Sequence, residues 1–288
     1  MSHDDYVLGR GLPDSTRLDA QHLLWAMHLS YVLHPDIPIR EDMRIADVGC
    51  GSAGMTSIWL LDISRTLPRS THLHGYDISD SLFPPRSSWP ENLSLGLLDS
   101  REDPPESLVG QYDVVHLRMW SSNMRSGAKT VECLIRSVTR MLKPGGYIQW
   151  EEADLKRQVV QPESSTEYGE ELIDVLQAFG IDYSRTADLG SKISWTKTLS
   201  ASLQRENLSI IKEKQDVFQK FTTQLCTKTY LLAMKEILEG IKQTRNEKET
   251  AEQLAMRGEE ALARLTSEYY KGLIYNWGPV SILGQLST

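Results

Sequence analysis

Residues able to do chemistry concentrate in four short stretches. The first is Asp47-Val-Gly-Cys-Gly-Ser-Ala-Gly54, where Gly49, Gly51 and Gly54 satisfy the spacing G-x-G-x-x-G around Cys50. Glycine is needed where a strand turns tightly into a helix and where backbone must approach a ligand closely. That spacing alone also marks nicotinamide and flavin dinucleotide sites. Asp47 discriminates, because a carboxylate at the loop would repel a pyrophosphate and suits a ligand with positive charge. The second is Asp77-Ile78, 23 residues after Gly54, at the end of a predicted strand. An acid there can accept both hydroxyls of a ribose, although Asp77-Ile-Ser-Asp80 could equally start a turn. The third is Leu98-Asp99, where the acid can receive an adenine amino group and the leucine can pack on the ring. The acidic run that follows leaves open which acid does so.

The fourth stretch, Tyr112-Asp-Val-Val-His-Leu-Arg118, ends at the carboxyl edge of a strand, where open α/β sheets bind ligands. His116 and Arg118 lie two apart and share a face, with Leu117 between them. His116 is a candidate base or cofactor contact, and equally a satisfied buried histidine. Arg118 suits a carboxylate. Glu151, Glu152 and Asp154, at the end of the next strand, are further candidates for a base. His22 and His28 are others from an N-terminal helix. The aromatics Trp25, Tyr31, Trp120 and Trp150 could line an apolar pocket or simply fill the core.

The elements that must position these residues alternate regularly. Arg44–Val48, His72–Asp77, Leu93–Leu98, Tyr112–Leu117 and Tyr147–Trp150 read as strands. Met55–Leu67 and Lys129–Leu142 read as helices, the latter with Val131, Leu134, Ile135, Val138, Met141 and Leu142 on one stripe. Lys143-Pro-Gly-Gly146 reads as a turn. This alternation implies a parallel sheet with helical crossovers. Residues 1–14 read as irregular. A helix then follows the apparent capping box Thr16-Arg-Leu-Asp19, with Leu23, Leu24, Met27, Tyr31 and Val32 at helical spacing. Residues 165–204 and 218–270 are helical in character, with Leu208–Glu213 and Tyr275–Leu283 as sixth and seventh strands.

The chain has 288 residues, 40% hydrophobic and 24% charged, which is globular rather than disordered composition. Its net charge of −8 and the lack of a basic stripe argue against nucleic acid as a partner. Three widely spaced cysteines, Cys50, Cys133 and Cys226, suggest neither a metal site nor a disulfide framework. The polar N-terminus lacks a signal-peptide core, and no apolar run reaches the roughly 18 residues that span a bilayer. These features point to the cytoplasm, with the nucleus as the alternative, and to no membrane partner.

Taken together, Asp47-x-Gly-x-Gly-x-x-Gly54, Asp77, Asp99, Tyr112-Asp-Val-Val and Leu142-Lys-Pro-Gly-Gly146 resemble, in order and spacing, the motifs of class I S-adenosylmethionine-dependent methyltransferases. The resemblance covers residues 44–152. Tyr6-Val-Leu-Gly-Arg10, Arg17-Leu-Asp-Ala-Gln-His22 and Leu60-Leu-Asp-Ile-Ser-Arg-Thr-Leu-Pro68 are similar to the fungal LaeA-like and UMTA methyltransferases of secondary metabolism. The resemblance implies a Rossmann-like α/β sheet of seven strands in the order 3-2-1-4-5-7-6, the last antiparallel. It implies an N-terminal lid over residues 1–40 and a cofactor-binding core over 41–155. A helical cap with the last strands would occupy 156–288. The expected cofactor is S-adenosylmethionine, with S-adenosylhomocysteine as product and no metal. The expected contacts are Asp47, Gly49, Cys50, Gly51, Gly54, Asp77, Ile78, Leu98, Asp99, Leu117 and Arg118, with His116, Glu151 and Glu152 as catalytic candidates. The acceptor is a small molecule methylated on O or N; the oligomeric state is open, a homodimer included. A regulator of the LaeA type, or a cofactor-binding fold reused for a pericyclisation, are the alternatives. One departure stands out: the family's loop usually reads Gly-Thr-Gly-Thr-Gly, and here Ala53 holds its third glycine position.

Overall fold

The computed structural model describes residues 11–51, 58–81, 83–124, 131–181, 195–243 and 248–288. Its elements run α1 (Leu12–Leu29), β1 (Arg44–Val48), α2 (Ile58–Ser64), β2 (His72–Asp77), β3 (Leu93–Leu97), β4 (Tyr112–Arg118), α3 (Val131–Met141) and β5 (Leu142–Gln161). They continue with α4 (Thr166–Ala178), α5 (Trp195–Arg205), β6 (Leu208–Gln215), α6 (Thr223–Gln243), α7 (Lys248–Tyr269) and β7 (Ile274–Leu286). The strands form one sheet in the order β3-β2-β1-β4-β5-β7-β6, with β1 to β5 parallel and β7 antiparallel to both its neighbours. This is the class I methyltransferase order.

The inner strands are apolar on both faces because both are covered. Ile45, Leu73 and Val114 pack against Trp59, Leu60 and Ile63 of α2. Ala46, Val48, Val115 and Leu117 face the apolar stripe of α3 and the buried Trp195, Leu199 and Leu203 of α5. A third cluster joins α1, α4, α6 and α7 to the far half of β7 through Trp25, Phe218, Tyr275 and Trp277.

The structure departs from the sequence reading in three places. Helix α1 begins at Leu12, where Pro13 fits the first turn and Asp14 accepts the Gly11 N–H at 2.6 Å. Thr16-Arg-Leu-Asp19 is therefore helix interior, not a cap. Of the expected stripe Leu24 is buried, but Leu23 and Met27 are exposed, and α1 buries Arg17, Gln21, His22 and His28 beside Leu24 and Trp25. Arg17, His22 and His28 find partners outside α1 and Gln21 accepts from Arg17, which is what makes their burial tolerable. Lys143–Gly146 is not a free turn but part of β5, which runs 20 residues. Its register against β4 shifts between Tyr112 and Val114, and Gly145 has φ of +77°. Residues 55–57, 129–130, 182–194 and 244–247, read as helical, lie outside the described residues.

Candidate functional site

A cleft opens at the carboxyl ends of β1 to β4. One side is built from the expected residues: the bare backbone of Gly49 and Gly51, Asp77 and Ile78 after β2, Leu98 and Asp99 after β3, and Arg118 at the end of β4. The glycines are required where they stand. Gly49 has φ of +69°, and a Cβ there would lie 2.6 Å from Trp120 Cζ2. Gly51 has φ of +85° and faces Leu18 of α1. Their N–H groups fasten the loop to β2: Gly49 and Cys50 donate to Tyr76 O, and Gly51 donates to Asp77 Oδ2 at 3.1 Å. Asp77 Oδ1 accepts the Ser79 N–H, and Asp99 accepts the N–H and Nε of Arg101. Two carboxylates thus stand along a wall of exposed main chain. That donor and acceptor set fits a ribose and an adenine, whereas Asp47, expected to face positive charge, is buried against His116. Gly54 and Ala53 of the loop lie outside the described residues, as does Tyr6–Arg10.

On the other side, segments expected as lid and cap contribute residues that the sequence had not singled out as contacts. Arg17, Leu18 and Gln21 of α1 close over the cleft, and Tyr230, Met234 and Ile237 of α6 with Trp277 of β7 form an apolar wall. Arg17 is buried and donates to both carboxylate oxygens of Glu236 on α6, at 2.6 and 2.8 Å, and to Gln21 Oε1 at 2.9 Å. Polar residues on the inner face of α1 were the available signal for this side; nothing in α6 marked it.

His116, Glu151, Glu152, Asp47, Cys50 and Leu117 do not line the cleft. Leu117 packs under it, against the α3 and α5 side of the sheet. Burial pushes the Cys50 thiol well above its usual range, reinforced by Asp47 and Asp77. His116 is 1% exposed and stacks on Trp59 at 3.8 Å. Its Nδ1 lies 2.6 Å from Asp47 Oδ1 and its Nε2 2.6 Å from Glu151 Oε2. Burial pushes its basicity down, but Glu151 and Asp47 outweigh that and raise it above an ordinary imidazole. Glu151 shows the converse: burial pushes it up, but His116 and Arg118 bring its carboxyl down to about 2. An imidazolium held between two carboxylates has both nitrogens occupied, so His116 and Glu151 cannot face an acceptor as free bases. Sheet register explains the cluster, because β4 lies between β1 and β5 with Asp47 opposite His116 and Arg118 opposite Glu151.

The chain of charges continues upward. Arg118 Nε donates to Glu151 at 3.2 Å and Nη1 to His22 Nδ1 at 3.1 Å. His22 Nε2 in turn donates to Asp62 Oδ2 of α2 at 3.1 Å. These partners assign His22 the neutral form with its proton on Nε2. Burial and Arg118 lower its pKa against the pull of Asp62. His28, the other lid candidate, is buried and paired with Asp216 at 2.9 Å. Of the four aromatics considered, Trp120 lines the cleft, Trp25 and Trp150 are core, and Tyr31 packs against the third cluster, that of α1, α4, α6 and α7. Asp154 is buried within β5. Among the described residues, no helix is long and apolar enough to cross a membrane.

No family model matches the chain. It is 34% identical over 158 residues to methyltransferase grgD of a Penicillium species, 52% of each chain. It is 32% identical over 147 residues to N-methyltransferase tcpN of Claviceps purpurea, 49% of this chain and 50% of that one. The match spans about half the length of each of these curated relatives. Among solved structures, a chain from the complex of the Haloferax volcanii Trm112 methyltransferase activator superposes with a TM-score of 0.52. It covers 95% of this chain and 94% of that one at 15% identity, a likeness of fold.

Proposed function

We propose that this chain, which carries the class I methyltransferase fold and is related over half its length to fungal methyltransferases, transfers a methyl group from S-adenosylmethionine to O or N of a small-molecule acceptor. The observation that supports this most is the convergence of Gly49, Gly51, Asp77 and Asp99 on one cleft. In this reading Asp77 accepts the ribose hydroxyls and Asp99 the adenine amino group, with Ile78 and Leu98 against the ring. Gly49 and Gly51 let main chain approach the amino-acid portion, and Arg118 faces its carboxylate. When bound, the cofactor supplies an electrophilic methyl group on a sulfonium.

Because the leaving group is neutral, the protein's task is to align the partners and exclude water. Helix α1, within the proposed lid of residues 1–40, and the apolar wall of α6, within the proposed cap of 156–288, suit that task. His116, Glu151 and Glu152 then act from beneath the site, by holding its walls. A metal-free reaction and a cytoplasmic location complete the reading. The mixed character of the cleft, acidic along one side and aromatic along the other, supports a small, largely apolar acceptor.

Titration calorimetry tests the premise. S-adenosylhomocysteine should bind in the micromolar range, and Asp77→Ala should weaken it by about tenfold or more through loss of charged hydrogen bonds. No binding to the unmodified chain would end this reading. Transfer of labelled methyl to fungal metabolites then identifies the acceptor.

A further inference from the structure

The turn that follows β4 joins the two sides of the cleft. Met119, Trp120 and Ser121 all line it. Met119 has φ of +57°, a left-handed conformation that a side chain other than glycine seldom adopts and that something else must enforce. Trp120 lies against Gly49 and donates its Nε1 to Val48 O at 3.2 Å, so the indole braces the glycine loop from behind.

One side chain holds this turn. Glu152, fully buried on β5, accepts the Trp120 N–H at 2.8 Å, the Ser121 N–H at 3.3 Å and the Ser121 hydroxyl at 2.5 Å. It also accepts its neighbour's Ala153 N–H at 2.9 Å and Trp150 Nε1 at 3.3 Å. Burial raises its pKa, and each of these donors works in the opposite direction. Four of the five contacts are N–H groups, which can only donate, two or more to each oxygen, an arrangement suited to the anion; the Ser121 hydroxyl is the fifth and also lies 3.2 Å from Ala153 O. The Met119 N–H, by contrast, bonds only to the main chain at Glu151 O.

We infer that Glu152 is a positioning residue for the cofactor loop. Its carboxylate holds the left-handed turn, the turn holds Trp120, and Trp120 holds Gly49 in its left-handed conformation. Glu152 touches neither cofactor nor acceptor. The inference rests on the cofactor reading of the cleft, and it explains why a carboxylate in the middle of β5 is buried beneath the site rather than facing it.

The test compares Glu152→Gln with Leu93→Ala. The glutamine turns an amide N–H toward backbone donors. Leu93 is buried at the start of β3 in the cluster beneath α2, which contains neither Trp120 nor a residue of the cleft, and its loss lowers stability without touching the turn. Two readouts are taken well below both melting temperatures. The first is S-adenosylhomocysteine affinity by calorimetry. Glu152→Gln should weaken it by about tenfold, equivalent to about 1.4 kcal/mol, while Leu93→Ala binds like the unmodified chain. The second needs no ligand. In 5-fluorotryptophan-labelled protein, the ¹⁹F resonance of Trp120, assigned through Trp120→Phe, should shift or broaden in Glu152→Gln and stay in place in Leu93→Ala. Equal affinities in the two variants, or an unmoved Trp120 resonance in Glu152→Gln, would overturn the inference. A chain that binds no S-adenosylhomocysteine at all, yet whose Trp120 resonance moves, would sink the cofactor reading and leave the clamp standing.

Discussion

Replacing His116 by phenylalanine tests the buried charge cluster most directly. The ring stack on Trp59 survives the substitution, so little volume is lost. What disappears is the positive charge between Asp47 and Glu151, which are 4% and 0% exposed. Removing one partner from a buried ionic group typically costs about 3–5 kcal/mol, because the remaining charges are left uncompensated. At roughly 2 °C per kcal/mol for a chain of this size, the melting temperature should fall by about 6–10 °C at pH 7. The sign of the pH dependence is a second constraint. In the unmodified chain the raised pKa of His116 gives a contribution fully present below 6.5 and lost as pH rises through the folded value. In the variant, two facing carboxylates relieve their repulsion by taking up a proton, so once pH is below 6.5 and the His116 contribution has stopped growing, the deficit should shrink from pH 6 to pH 5. Calorimetric melts at pH 7, 6 and 5 measure both. A drop below about 2 °C at pH 7, or a deficit that grows between pH 6 and pH 5, would refute a charged His116.

Three further outcomes follow from the same geometry. Gly49→Ala should destabilise the chain by about 2 kcal/mol or more and weaken S-adenosylhomocysteine binding, since it meets both a φ of +69° and the Trp120 ring; chemical denaturation and calorimetry read the two effects. Glu236→Gln leaves the buried Arg17 guanidinium half-paired, so stability should fall by about 3 kcal/mol. Because α1 and α6 then separate more easily, stopped-flow release of S-adenosylhomocysteine should quicken. His22 has a lowered folded pKa, so the unfolded chain takes up its proton first and stability should decline as pH falls below 6.5. His22→Gln should remove part of that slope, the rest belonging to His28, His34 and His74, whose pKa values are also lowered by burial.

Local signals made much of the core legible. The strands of the first half, the α3 stripe and the acids of the cleft each sit in a pattern of their own: alternation, helical spacing or a glycine loop. His116 shows where that legibility ends. Its place at the end of β4 could be read, but its partners came from strands that are neighbours only in the folded sheet. Arg17 and Glu236, 219 residues apart, leave no local trace at all. The misread face of α1 has the same cause, because a helix that buries arginine and histidine looks inside out until its partners are known. β5 ran beyond its apolar segment because β7 supplies backbone partners as far as Gln161, independent of side-chain type.

That pairing also sets an order on how the molecule can be made. β5 is complete at Gln161, but the strand that covers its outer edge begins at Ile274, roughly 110 residues later on the ribosome. At about 5–20 residues per second, the edge waits on the order of ten seconds for its partner. In that interval a 20-residue strand presents a row of unpaired amides and carbonyls, the template on which chains join edge to edge. Synthesis rate and chaperone supply should therefore govern the soluble yield of this chain more strongly than its final stability does.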